Sequence, residues 1–267
     1  MLGNRGISMV QQMTLIERMN RKGLKEAGMR NKSHKLPLLL VLDTSGSMQH
    51  NNNIDKLNNG VQSFYKEILA DPIVREHLHV CLVTFGEGGV QVASDFGNPA
   101  EQEIPTLKAG GSSPLCTAIM TGLDLLEDQI DIYNNKGITS HPPVMIILTD
   151  GEPTTMEYDK NGVPILVTKD TPDFKVTKKR FNYFNTAMRL TSYSIYFGDD
   201  VEDTYFLHQF ATGKNHVQKL DEVNIIKFFK MLGKSASALT KAIPGAGFSL
   251  EMEYDIFKEI GKNKTKK

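Results

Sequence analysis

Several features that would assign this chain to other protein classes are missing. The 267 residues include only two cysteines, Cys81 and Cys116, which excludes a disulfide framework and favours a reducing compartment. No apolar run approaches the roughly 20 residues that cross a bilayer. Polar residues interrupt the stretch 1–15, where a signal peptide would have its apolar segment. We therefore expect a cytoplasmic protein that makes no membrane contact.

Motifs of common cofactor and metal sites are also missing. The seven histidines show none of the spacings of a zinc site, and there is no P-loop or glycine-rich nucleotide fingerprint. The rest of the composition is that of a globular protein, with 40% apolar and 23% charged residues. Such a chain is long enough for one α/β domain of about 200 residues with appendages.

The formal net charge of zero conceals an uneven distribution. Residues 1–36 carry a net charge of +6 and residues 258–267 a net charge of +4, which leaves −10 on residues 37–257. Basic termini are compatible with binding of nucleic acid, but solvated ends on an acidic body are the simpler interpretation. The predicted organisation has three parts, namely a basic N-terminal helical arm (1–35), a central domain (36–241) and a basic C-terminal tail (242–267).

In the central domain, strand-like apolar runs alternate with helical periodicity. The runs LLLVL at 38–42 and VMIIL at 144–148 are continuously apolar, which is typical of strands buried on both faces of a parallel sheet. A glycine-rich turn at 86–89 predicts one hairpin. The order of elements predicts an α/β fold with a doubly wound, mostly parallel six-stranded sheet, one antiparallel edge strand and helices on both faces.

One connection in this domain is longer than the fold requires. Residues 152–176 form a stretch of 25 residues in which Asn161-Gly162 lies between two apolar runs. Asn-Gly in this setting is a hairpin signal, so we predict a small β-ribbon inserted into the domain.

Two of the predicted strands end in carboxylates. The first ends in Asp43-Thr44-Ser45-Gly46-Ser47, and a later strand ends in Thr149-Asp150-Gly151. Because the ligand crevice of a doubly wound sheet lies at the carboxyl ends of its strands, Asp43 and Asp150 are expected to face each other there. Two carboxylates this close repel each other unless a cation lies between them. Oxygen ligands from Asp and Ser suit Mg²⁺ or Mn²⁺.

The sequences DTSGS at 43–47 and TDG at 149–151 resemble the von Willebrand factor type A (vWA) domain and its metal-ion-dependent adhesion site. The resemblance implies that Asp43, Ser45 and Ser47 form the D-x-S-x-S metal loop and that Asp150 is the later aspartate of the site.

The middle ligand of that site departs from the family pattern. The family usually has a Thr in a G-G-T-P-L loop, whereas the sequence here has Ser113 in that place, before Pro114. Serine keeps the hydroxyl but loses the methyl group that restrains its rotamer. Ser113 before Pro114 is also compatible with a helix N-cap. Thr154 and Thr155, which follow Asp150, are interpreted as loop residues, with contact of one of them to a metal-bound water as the alternative.

Within that superfamily the chain is most similar to the bacterial TerY/YegL-like group linked to tellurium resistance. The similarity covers about residues 36–241 and includes LPLLLVLDTSGSM at 36–48 and TDGEPTT at 149–155. It implies a non-enzymatic interaction module in a bacterial stress-response (tellurite resistance-like) or phage-defence assembly, beside a kinase or phosphatase of the same system.

The expected function is metal-dependent binding of a protein partner that supplies a carboxylate to the ion. Two other functions stay open. A strand-end aspartate with Mg²⁺ also suits a phosphoryl-transfer enzyme with Asp43 as nucleophile, although residues 44–54 contain no Lys or Arg to bind phosphate. Binding of nucleic acid through the basic termini would weaken steeply with salt.

Overall fold

The architecture is an open α/β sheet with helices on both faces. The computed structural model describes residues 34–198, 204–221, 224–242 and 246–250. The described strands are β1 (Leu36–Thr44), β2 (Leu78–Gly86), β3 (Gly89–Gly97), β4 (Val144–Thr149), β5 (Thr154–Tyr158), β6 (Pro164–Leu166), β7 (Thr191–Tyr196) and β8 (Val217–Lys219). The described α-helices are α1 (Asn53–Leu69), α2 (Pro72–His77), α3 (Leu115–Asn135), α4 (Pro172–Ala187), α5 (Tyr205–Gln209) and α6 (Ile225–Thr240).

Six of these strands form the central sheet, in the order β3-β2-β1-β4-β7-β8. The pairs from β2 to β8 are parallel, and β3 runs antiparallel to β2 at one edge. The order reverses between β1 and β4, where Leu42 lies opposite Leu148. The strands that precede Asp43 and Asp150 are therefore direct neighbours, and the predicted sheet with one antiparallel edge strand is confirmed.

Each face of the sheet has its own apolar core. Along β1, Leu38, Leu40 and Leu42 pack on the face covered by α1 and α6, whereas Leu39 and Val41 pack on the face covered by α3 and α4. All residues of β1, β2 and β4 are buried. A strand covered by helices on both faces has no solvent-facing side, which explains its continuously apolar sequence.

Strands β5 and β6 form the predicted ribbon as a separate two-stranded antiparallel sheet, and residues 154–166 are called the ribbon below. In the turn between β5 and β6, the Asp159 carboxylate accepts hydrogen bonds from the N–H groups of Asn161 and Val163, both at 2.8 Å. The insertion is shorter than the predicted 152–176, because α4 already begins at Pro172. Proline suits a first helical position, since its φ is helical and the missing N–H has no partner there.

The structure describes little of the predicted N-terminal arm but includes part of the predicted C-terminal tail. Residues 1–33 of the predicted arm (1–35) lie outside the described residues. In the predicted tail (242–267), Phe248 and Leu250 are buried in the core on the α6 face. The N–H of Leu250 also donates to the Tyr193 hydroxyl at 3.4 Å. The folded body therefore continues beyond residue 241, because two apolar side chains of the tail complete this core.

The surroundings of His141 predict that the folded state loses stability at acidic pH. It is 2% exposed, and among the described residues both of its ring nitrogens lack a hydrogen-bond partner. Burial lowers its pKa from the ordinary value of 6.5, and the nearby His34 and His77 lower it further. The unfolded chain therefore binds the proton more readily, so the contribution of His141 to stability is complete above 6.5 and is lost as the pH falls below it.

We expect the melting temperature to fall between about pH 7.5 and about pH 5.5, and to fall less in His141→Leu. The exposed His208 provides the control, since His208→Leu should keep the wild-type pH dependence. Thermal unfolding at a series of pH values measures this. The same slope in His141→Leu and in wild type would contradict the prediction.

Candidate metal centre

Asp43 lies at the end of β1 and is 1% exposed. Its Oδ1 accepts the N–H of Ser45 at 2.8 Å, and its Oδ2 accepts the hydroxyl of Thr149 at 2.5 Å. Burial raises the pKa of this carboxyl, and hydrogen bonds from Ser45, Thr149 and the N–H of Asp150 lower it in part. The described hydrogen-bond donors to this carboxyl are thus neutral N–H and hydroxyl groups.

A chain of polar side chains connects the two strand ends. The hydroxyls of Ser45 and Ser47 are 2.9 Å apart, and Ser47 donates to Oδ1 of Asp150 at 2.6 Å. Asp150 directly follows β4 and is 4% exposed. The structure therefore brings four of the five predicted site residues, Asp43, Ser45, Ser47 and Asp150, into one hydrogen-bonded cluster.

The loop that carries Ser113 is attached to the D-x-S-x-S loop through the backbone. The N–H of Gly110 donates to the carbonyl of Thr44 at 2.9 Å, and the N–H of Gly46 donates to the carbonyl of Gly111 at 3.0 Å. Ser113 itself is 8% exposed. These bonds place the fifth predicted residue on a segment held against the cluster.

Ser113 is fixed through its backbone and does not cap a helix. Its N–H donates to Oγ1 of Thr154 at 2.9 Å, and its carbonyl accepts the N–H of Thr154 at 2.9 Å. Helix α3 begins only at Leu115, and no side chain from the described residues caps that end. The N-cap role considered for Ser113 is therefore not observed, and its hydroxyl does not cap the N-terminus of α3.

Two threonines that were not among the predicted site residues support the site. Thr149 donates to Asp43, and Thr154, interpreted above as a loop residue, holds Ser113. For Thr149 a signal was available, because it precedes Asp150 in the TDG motif. The contact of Thr154 depends on the path of the ribbon, which no local pattern predicts.

Three backbone segments around the cluster approach one another so closely that there is no room for a Cβ atom at the points of contact. Gly111 has φ +72°, and a Cβ there would overlap the carbonyl oxygen of Gly86. At Gly86, with φ +153°, a Cβ would overlap the carbonyl of Thr44. Glycine at both positions therefore lets the loop of Ser113, the β2–β3 turn and the D-x-S-x-S loop pack together.

This set of groups fits a hard divalent cation. Two buried carboxylates and three serine hydroxyls offer only oxygen ligands, which suit Mg²⁺ or Mn²⁺. Within the described ranges no group of three or more His, Cys, Asp or Glu is placed to hold a metal. The hydroxyls would therefore be needed to complete the coordination shell around the two aspartates.

Comparison with known proteins agrees with this fold. Residues 38–152 match the family model described as the von Willebrand factor type A domain. Over those residues the chain is similar to the vWA domain. The sheet continues past the matched range through β7 and β8, and the ribbon lies in the chain between β4 and β7.

Solved structures share the vWA fold at low sequence identity. The pilus adhesin SpaC from Lactobacillus rhamnosus GG aligns with a TM-score of 0.56 and 16% identity over 76% of this chain, which spans 30% of the adhesin. The vWF domain of the type V pili tip protein Mfa5 from Porphyromonas gingivalis aligns with a TM-score of 0.54 and 14% identity, over 80% of this chain and 99% of that domain. A comparison with curated proteins gave no match. In the part of the chain that the structure describes, no helix is long and apolar enough to span a membrane.

Proposed function

We propose that this vWA domain is a non-enzymatic module that binds a protein partner through a divalent ion, Mg²⁺ or Mn²⁺, at a metal-ion-dependent adhesion site. The observation that carries the proposal is the pair of buried carboxylates, Asp43 and Asp150, joined by the hydroxyls of Ser45 and Ser47. Burying two like charges is unfavourable, and a bound cation would remove that cost.

Each residue would have a distinct task in this site. Ser45, Ser47 and Ser113 would bind the ion directly, and Asp43 and Asp150 would bind it or its water ligands. The bound ion supplies an electrophilic position for a carboxylate of the partner. Because hydroxyl ligands are neutral, they leave more of the positive charge available to an incoming Asp or Glu than carboxylate ligands would.

The supporting residues keep the ligands in place before the partner arrives. Thr149 orients the carboxylate of Asp43, and Thr154 fixes the backbone of Ser113. These contacts are made by residues of regular strands, namely the last residue of β4 and the first residue of β5. A ligand set that is already ordered loses little conformational freedom on binding.

The geometry does not favour phosphoryl transfer by Asp43. Both carboxylate oxygens accept hydrogen bonds and the side chain is 1% exposed, whereas a nucleophile needs a free oxygen facing the substrate. Nucleic-acid binding through the termini involves residues that lie largely outside the described ranges, so no contact favours it.

The resemblance to the TerY/YegL-like group supports a finer version of the proposal. In that version the partner belongs to a bacterial stress-response or phage-defence assembly, such as a kinase or phosphatase of the same system. The module would act in the cytoplasm. Cys81 and Cys116 are buried and form no disulfide bond in the described part of the chain, which is compatible with such a reducing compartment.

Partner binding should depend on the divalent ion. We expect a partner captured by the immobilised full chain in Mg²⁺ to be released by EDTA and not to be captured by Asp43→Ala, because either change removes the coordination position for its carboxylate. Glu103→Ala, which removes an exposed acidic residue outside the site, should capture as wild type does. A complex that survives both EDTA and Asp43→Ala would contradict the proposed function.

A further inference from the structure

The ribbon is attached to the candidate metal centre. Thr154 makes two hydrogen bonds with the backbone of Ser113, and the Tyr158 hydroxyl donates to Oγ of Ser112 at 3.4 Å. Directly after the ribbon, Val167 is buried in the core on the α3 and α4 face, and its N–H donates to the carbonyl of Pro153 at 2.9 Å. The ribbon therefore has a fixed position beside the loop of Ser113.

The ribbon also exposes four apolar side chains within residues 158–166, which are called the apolar cluster below. Tyr158, Val163, Ile165 and Leu166 are 40–57% exposed. They make up four of the eight large hydrophobic side chains that are exposed in the described part of the chain. Single exposed apolar residues are ordinary, whereas a cluster beside a ligand site indicates an interaction surface.

The charged residues around this cluster are mostly acidic. Glu157 and Asp159 of the ribbon are exposed, as is Glu87, which lies against Gly110 of the neighbouring loop. Glu152 precedes the ribbon, and Lys160 is the one basic residue between 152 and 167, so this segment has a net charge of −2. Additional carboxylates on a ligand would be repelled by these acidic residues, whereas the one carboxylate that reaches the metal would be attracted by the ion.

We infer that the metal site and the ribbon form one recognition surface for an extended partner segment in which a single Asp or Glu is flanked by bulky apolar residues. The inference rests on the proposed function, which assigns the carboxylate to the metal. The flanking side chains pack against Tyr158, Val163, Ile165 and Leu166. Acidic residues are excluded from the flanks by Glu87, Glu157 and Asp159.

Three synthetic peptides and the full chain in Mg²⁺ test this inference. The first peptide has one Glu flanked by Leu and Ile, the second has Gln in place of that Glu, and the third keeps the Glu but has Ser at the flanks. We expect the first peptide to bind at least about tenfold more tightly than the third, and the second not to bind, as measured by calorimetry.

Variants of the ribbon assign the difference to its apolar side chains. The double variant Ile165→Thr, Leu166→Thr places residues of high strand propensity at both positions and should bind the first peptide only as tightly as the third. The control is Val176→Thr on α4, where the valine is 58% exposed but lies outside the ribbon, and this variant should bind as wild type does. An unchanged rise in melting temperature with Mg²⁺ verifies that the metal site of each variant is intact.

The outcomes separate this inference from the proposed function. Equal affinities for the first and third peptides, both dependent on Mg²⁺, would overturn the role of the ribbon and leave the metal-dependent function standing. Equal affinities for the Glu and Gln peptides would overturn the proposed function itself. Failure of the first peptide to bind at about millimolar concentration, with metal binding intact, would overturn the inference.

Discussion

Addition of about 10 mM Mg²⁺ should raise the melting temperature of the wild-type chain by about 3–6 °C. The melting temperatures of the Asp43→Ala and Asp150→Ala variants should not change. An ion that binds only the folded state stabilises it by RT ln(1 + [L]/Kd), or about 1.4 kcal/mol at a site of millimolar affinity. In a domain of this size each kcal/mol shifts the melting temperature by about 2–4 °C. Both aspartates are required, because one carboxylate alone attracts the ion too weakly to displace its water.

Variants of Ser113 in the same assay report on the hydroxyl ligands. Ser113→Ala should reduce the shift in part, and Ser113→Thr should keep or increase it because the added methyl group restrains the hydroxyl. The half-buried Ser63, which lies outside the site and donates to the carbonyl of Asn59, supplies a Ser63→Ala control that should respond as wild type does. Melting curves in Mg²⁺, Mn²⁺ and EDTA measure these effects. An equal response to Mg²⁺ in wild type and both aspartate variants would place the ion elsewhere.

The parts of this molecule that the sequence predicted are those set by local patterns. Continuously apolar runs predicted β1 and β4 because a strand between two helical layers needs an apolar side chain on each face. The two carboxylates could be placed together because each directly follows such a strand, and neighbouring parallel strands end at the same edge of the sheet. The Asn161-Gly162 turn predicted the ribbon for a similar local reason.

The parts that the sequence did not predict depend on contacts between distant residues. Thr149 donates to a carboxylate 106 positions earlier in the chain, and Thr154 accepts from a residue 41 positions earlier. Neither contact leaves a pattern in its own segment. Phe248 and Leu250 fall in the predicted tail because the family resemblance ends at about residue 241, yet a core on the α6 face accommodates both side chains.

The close packing of backbones around the site leads to a second large effect. Gly111 and Gly162 have nearly the same left-handed conformation, with φ of +72° and +78°. At Gly162 a Cβ would have no atom within 4 Å, so Gly162→Ala carries only the cost of placing alanine in that conformation, about 1 kcal/mol. At Gly111 the same cost applies, and the new Cβ also overlaps the carbonyl oxygen of Gly86.

We therefore expect Gly111→Ala to lower the free energy of unfolding by at least about 2 kcal/mol and to abolish most of the response to Mg²⁺. Relief of the overlap requires the Gly111 loop or the Gly86 turn to move, and both contact the D-x-S-x-S loop at Thr44 and Gly46. Gly162→Ala should lose about 1 kcal/mol and keep the full response, since the new Cβ has no atom within 4 Å and displaces no other segment. Denaturant unfolding in EDTA and in Mg²⁺ measures both quantities. Equal losses in the two variants, with equal responses to Mg²⁺, would show that the Gly86–Gly111 approach does not hold the metal ligands in place.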